Sequence, residues 1–385
     1  MKKITLDAIT IGEAERSGVE AALTGERSAS ELEGLFGEYI GCDYAVATCN
    51  ETAALHLCMM AVDLKRGDKI LCSVNAHPNV PEVVRHFDAE PIFIDIDPDD
   101  FNIDLDQMDR FLAKNKSKKL KGVIVSHVAG QSVDIERLYE IAKKYKIMVI
   151  HDANDAMGAT YEGIRLGSRE LYEKYGDESV LSLATFSFNP HRYHSTFAGG
   201  MLTTIDEKIE ERARLLAQNA IVKNEWDESG KLGYIYDVVD IGLEYTMSDL
   251  EAGFNQVRLA KNDEAITRRK EIAAIYYERL EKIPQIELPV QKRDHIFTKY
   301  IIKIDKNRDS FARELYKRGI ETGLHYIPLH LLSYYKQKYN LRVNDYPKAL
   351  RNFQQILSIP IHEGMSDEDA HYVVEKIQEV AKSRA

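Results

Sequence analysis

His191, Arg192, Tyr193 and His194 stand side by side in the segment FSFNPHRYHSTFAGGMLTT (186–204), between a Phe-Ser-Phe triplet and two adjacent glycines. An imidazole can take up or release a proton near neutral pH, which makes His191 and His194 candidate bases or acids. Their plainer reading is as loop histidines that make structural hydrogen bonds. Arg192 differs in kind. Its guanidinium stays protonated, so it can neutralise an anion and cannot act as a base. Asp152 closes the apolar run IMVIHD (147–152). By itself an Asp after a strand is most simply a turn residue. The four cysteines, Cys42, Cys49, Cys58 and Cys72, form no CxxC pair, so buried, reduced thiols are expected rather than zinc or iron–sulfur ligands. The acidic run DIDPDD (95–100) has the residue types of a metal cluster, but no metal site is expected.

These residues need a frame to hold them. Short apolar runs alternate with helical patterns: YAVAT (44–48), KILCSV (69–74), PIFIDI (91–96), GVIVSHV (122–128), IMVIHD and ATFSF (184–188), then GGMLTT (199–204). Strand-length runs separated by helices predict βαβ units and a mostly parallel sheet. Continuous Val/Ile runs fit strands buried on both faces. Beyond about Asp206 long charged amphipathic helices take over. A second α/β unit follows, with KYIIKID (299–305) as a strand and DSFARELYKRG (309–319) as a helix. The last helix opens on Ser366, with Glu368 and Asp369 in its first turn, a capping signature. The expected division is a large α/β domain over residues 1–250 and a small C-terminal α/β domain over 251–385.

With 385 residues, 29% of them charged, and a formal net charge of −11, the chain fits a soluble globular protein. That balance argues against general affinity for nucleic acid or acidic membranes. No apolar stretch approaches the roughly 20 residues of a membrane span, and the start lacks a secretion signal. A cytoplasmic location is the expectation.

A series of landmarks in order resembles the DegT/StrS family of sugar aminotransferases, enzymes of the fold-type-I pyridoxal-phosphate class. ETAALHL (51–57) is similar to the family's S-G-T-A-A-L-H-L. EPIFIDIDPDDFNID (90–104) is similar to P-V-F-V-D-V-D-P-x-T-x-N-I-D. VIHDANDAMGATYEGIRLGS (149–168) is similar to V-I-E-D-A-A-Q-A-x-G-A-x-Y-x-G-x-x-V-G-S. The segment 186–204 resembles F-S-F-x-P-x-K-x-x-T-T-G-E-G-G-x-x-T-T. YTMSDLEAGFNQVRL (245–259), HYIPLH (325–330) and LSIPIHEGMSDED (357–369) continue the series.

The resemblance implies an α/β fold-type-I transferase holding pyridoxal or pyridoxamine 5'-phosphate. It implies Asp152 as partner of the pyridine nitrogen and His77 as the residue stacked on the ring. It implies Glu51 and Thr52 at the phosphate-binding helix start, with Ser187 as a further phosphate ligand. Asp155 falls where the family has Gln. Glu244 falls where a partner subunit offers Asn to the phosphate. Thr246 and Ala198 replace its Arg and Glu. Arg192 occupies the place of the Schiff-base lysine and cannot form that bond. No lysine nearby in sequence replaces it, Lys208 being well past the loop.

The expected substrate is a nucleotide-linked keto sugar of polysaccharide or glycoside biosynthesis, and the expected assembly a homodimer. Two alternatives stand beside ordinary transamination. One is a lysine-independent, pyridoxamine-phosphate-type sugar dehydratase using His191 or His194. The other is a non-catalytic paralogue acting as a binding or partner subunit.

Overall fold

The computed structural model describes residues 2–188, 198–223 and 235–384. Seven strands form the main sheet: β1 (Tyr44–Thr48), β2 (Lys69–Ser73), β3 (Glu90–Ile94), β4 (Leu120–Ser126), β5 (Met148–Asp152), β6 (Ser182–Ser187) and β7 (Gly200–Thr204). Their order is β1-β7-β6-β5-β4-β2-β3. Strands β6, β5, β4, β2 and β3 pair in parallel, while β7 runs antiparallel between β1 and β6. The mostly parallel α/β sheet is therefore as expected. The antiparallel insertion of β7 is not visible in the runs themselves.

Consecutive residues explain why the strands read as unbroken apolar runs. Val123, Val125 and Val149 join Leu32 and Phe36 of the helix Ala29–Ile40 in one buried cluster. Ile124 and Ile150 join Leu55 and Leu57 of the helix Glu51–Ala61 in another, on the opposite face. Both faces of a parallel sheet are covered, so alternation disappears.

The helix Asp249–Ala260 lies against the helix Glu13–Leu23 at a close crossing. A methyl group on Gly18 would stand 2.5 Å from the Gly253 carbonyl oxygen, so these backbones touch where only glycine fits. Along the next helix, Asn262–Leu280, the buried company changes. Ile266 joins the cluster containing Leu32 and Val123. Ile272, Tyr276 and Leu280 instead pack with Ile302, Phe311 and Ile377 of the C-terminal unit. That unit carries a three-stranded sheet of Ile286–Glu287, Tyr300–Ile304 and Ile356–Ile359. Its last helix, Asp367–Lys382, has Ser366 and Asp369 in the anticipated reciprocal cap.

Residues 2–6 cross to this C-terminal unit. The Ile4 amide donates to the Gly319 carbonyl at 2.8 Å, and the Glu321 amide donates to the Ile4 carbonyl at 3.0 Å. Lys2 and Lys3 add ion pairs to Asp369 and Glu321 at 2.7 and 2.9 Å.

Candidate functional site

The C-terminal ends of β1, β2, β4, β5 and β6 open on one edge of the sheet, where ligands of doubly wound α/β proteins bind. Asp152 is the last residue of β5 and is buried. Its Oδ2 accepts a hydrogen bond of 2.6 Å from the Ser126 hydroxyl at the end of β4, and its Oδ1 accepts from the Asn154 amide at 3.4 Å. The carboxylate is thereby fixed in direction. Ser187 closes β6 and is also buried.

Glu51 and Thr52 open the helix that follows β1. Asn50 is its N-cap, accepting from the Ala53 amide at 2.9 Å, which leaves the amides of Glu51 and Thr52 to attract an anion. The Glu51 carboxylate reaches into that place itself, 3.5 Å from the Ser187 hydroxyl.

His77 sits in the turn after β2. Its Nδ1 is 2.9 Å from Asn79 Oδ1, and Asn79 Nδ2 donates to the Thr52 hydroxyl at 3.3 Å. The His77 ring stands edge-on to Tyr326, with centroids 5.9 Å apart. The Tyr326 hydroxyl lies 3.4 Å from Asp155 Oδ2, and the other oxygen of Asp155 pairs with Lys299. Asp152, Asp155, Ser187, Glu51, Thr52 and His77 thus share one edge.

Glu244 stands apart in the single chain. It is solvent-exposed, with its carboxylate accepting from Asn219 Nδ2 at 3.2 Å and from the Thr246 hydroxyl. The expectations on His191, Arg192 and His194 fall outside the described residues.

Two residues at this edge escaped the sequence reading. Lys299 comes from the C-terminal unit and is 3% exposed, so a lysine does reach Asp155 although none lies near Arg192 in sequence. Its signal in the sequence is a lysine opening the run KYIIKID (299–305), which reads as a strand. Asn154 is 3% exposed, and neither its side-chain oxygen nor its nitrogen is hydrogen-bonded among the described residues. It lines a cavity of about 410 Å³ shared with Asp155, Ser187, Arg258, Arg269 and Thr298.

The acidic run 95–100 is structural. Asp97 and Asp99 pair with Lys292 at 2.8 and 3.0 Å, Asp100 pairs with Arg293, and Asp95 accepts from the amides of Lys348 and Ala349. Cys58 and Cys72 are buried, while Cys42 and Cys49 are half-buried, and all four are free thiols. Burial pushes the Cys42 thiol up to about 11. No helix among the described residues is long and apolar enough to cross a membrane.

The fold is that of fold-type-I sugar aminotransferases. A putative sugar aminotransferase from Streptococcus pneumoniae, Spr1654 in its PMP form, superposes with a TM-score of 0.88 at 24% identity, covering 100% of both chains. The chain belongs to the DegT/DnrJ/EryC1/StrS aminotransferase family, which it matches over residues 10–378. It is 31% identical to the uncharacterized protein MJ1066 of Methanocaldococcus jannaschii over 358 residues, 91% of this chain and 89% of that one. It is 29% identical to the spore coat polysaccharide biosynthesis protein SpsC of Bacillus subtilis, over 91% of this chain and 89% of that one.

Proposed function

We propose that this edge binds pyridoxal or pyridoxamine 5'-phosphate and acts on a nucleotide-linked keto sugar for polysaccharide or glycoside biosynthesis. The observation that carries the reading is the buried Asp152 carboxylate at the end of β5, fixed by the Ser126 hydroxyl. When bound, the cofactor supplies an electron sink for a carbanion next to nitrogen.

The chain's own residues account for the rest. Asp152 offers an oriented acceptor that keeps a ring nitrogen protonated. The Glu51 and Thr52 amides and the Ser187 hydroxyl suit a phosphate dianion. The ring fits at Asp152, and the phosphate fits once the Glu51 side chain turns outward or is neutralised. His77 forms one wall. Arg192, in the family's lysine place, cannot itself form the Schiff base of ordinary transamination because it keeps its proton.

A homodimer completes the reading. Tyr236, Val238, Val239 and Ile241 are 62%, 52%, 53% and 83% exposed, an apolar stretch beside Glu244 that suits burial against a second copy.

Calorimetric titration of the purified protein with each cofactor form tests the site. Saturable binding, weakened by Asp152→Asn, is expected. Absence of binding by both forms overturns the assignment. A non-catalytic paralogue is the second reading, favoured by the Glu51 carboxylate beside Ser187, where a phosphate would otherwise lie. Glu51→Gly separates the two, because it should create tight cofactor binding only if Glu51 is the obstacle.

A further inference from the structure

Lys299 precedes the strand Tyr300–Ile304 and is 3% exposed. Lysine is seldom buried unless it is paired. Its partner, the Asp155 carboxylate, is 11% exposed. Such a pair does little for stability, since the cost of drying two charges roughly cancels their attraction. Its place is therefore informative.

The backbone around Lys299 is clamped to the cofactor edge. The Thr298 amide donates to the Ala129 carbonyl at 3.1 Å, and the Ile296 amide to the Gly130 carbonyl at 3.1 Å. Gly130 has φ +92°, and a side chain there would meet Ile296 Cγ1 at 2.5 Å, so this approach needs glycine. Asp155 lies three residues beyond Asp152, in the loop that follows β5. A run of contacts then leads from Thr52 through Asn79, His77 and Tyr326 to Asp155 and Lys299. The Lys299 ammonium is 5.9 Å from the centre of the Tyr326 ring, which faces His77.

We propose that the ε-amine of Lys299 condenses with the aldehyde of bound pyridoxal phosphate, the role that Arg192 cannot perform. This rests on the cofactor reading given above. The bookkeeping of the step is closed. Lys299 gives one proton to the Asp155 carboxylate and becomes a neutral amine. Nζ attacks the aldehyde carbon and forms the C–N bond. The carbonyl oxygen leaves as water with the two remaining amine protons, and no oxidant or reductant is needed. Asp155 then returns its proton to the imine nitrogen. A glutamine at position 155, as in the family motif, could not take up that first proton, so Asp155 and Lys299 make chemical sense as a matched pair. The flexible four-carbon stem lets Nζ travel while the backbone stays fixed.

The test uses the full chain with pyridoxal phosphate, borohydride reduction, digestion and mass spectrometry, beside calorimetry with pyridoxamine phosphate, which has no aldehyde. The expected result is a reduced cofactor adduct on Lys299 that saturates with cofactor binding. Lys299→Arg keeps the ion pair. It should lose the adduct while binding pyridoxamine phosphate within about threefold of the native protein. Asp155→Asn should slow adduct formation by about a hundredfold. Pyridoxamine phosphate binding with no adduct on Lys299, or an adduct that persists in Lys299→Arg, overturns the proposal and leaves the cofactor site standing. No binding of either cofactor form overturns the cofactor reading itself, and this proposal with it.

Discussion

The Nε2 of His127 lies 3.0 Å from the Nδ1 of His151, the residue before Asp152 in β5. The Val133 amide donates to His127 Nδ1 at 3.2 Å, so the His127 proton sits on Nε2 and points at His151. His151 then carries its own proton on Nε2, 3.1 Å from the Tyr139 hydroxyl, which stands 2.7 Å from the Ser182 hydroxyl. Each group is satisfied with both rings neutral.

Burial, the larger cause, and the neighbouring His151 hold His127 well below its ordinary pKa, while burial pushes His151 down to about 4. Unfolded, both titrate near 6.5. A depressed histidine contributes stability that is complete above the unfolded pKa and lost as pH falls toward the folded one. Denaturant unfolding should therefore show stability falling between pH 6.5 and 4, by up to about 1.4 kcal/mol per pH unit for each ring. His151→Asn should flatten part of that slope. An equal slope in the variant would refute the neutral pair.

Asn154 presents the opposite balance. Its buried amide has no hydrogen-bond partner among the described residues, which costs about 1–3 kcal/mol, and the family motif carries Ala at its position. Asn154→Ala should raise the unfolding midpoint of the ligand-free protein. It should also weaken whatever polar ligand fills the adjoining cavity. Lower stability in the ligand-free variant would sink this idea.

On the proposed cofactor reading, Ser126 would act only through Asp152. Losing a hydrogen bond to a charged group costs about 1.5–3 kcal/mol, so Ser126→Ala should raise the pyridoxamine phosphate Kd by roughly ten- to a hundredfold. Unchanged affinity would show that the Asp152 carboxylate needs no such anchor.

The crossing of Gly18 and Gly253 leaves no room for a methyl group on either backbone. Gly253→Ala should lower stability by about 1–3 kcal/mol through overpacking, read as a shift of the unfolding midpoint. A neutral result would mean that the two helices part without cost.

Much of this was legible from residue types, for a physical reason. Strands buried on both faces must be apolar without interruption, so β4 and β5 announce themselves as VIVS and MVIHD. Asp152 follows because a strand end on the ligand edge is also a point in the sequence. Contacts between distant segments leave no such trace. Lys299 and Asp155 are 144 positions apart, and nothing local tells which wall a lysine at a strand start will face. The pairing of His127 with His151 is hidden in the same way. The sequence marks Glu51 as an anomaly, and only the structure puts its carboxylate beside Ser187.

The segment Lys2–Leu6 has a mechanical meaning. It is laced by backbone hydrogen bonds and ion pairs to Gly319, Glu321 and Asp369 of the C-terminal unit. A few residues later the same strand of chain becomes the helix Glu13–Leu23, locked against Asp249–Ala260. The C-terminal unit is thus tied back by the helix Asn262–Leu280 and by this leading strap, in addition to the backbone bonds of Ile296 and Thr298 to Gly130 and Ala129. Lys299 and Asp155 belong to the two parts that these ties hold together, so their ion pair lies within a frame already closed by backbone bonds.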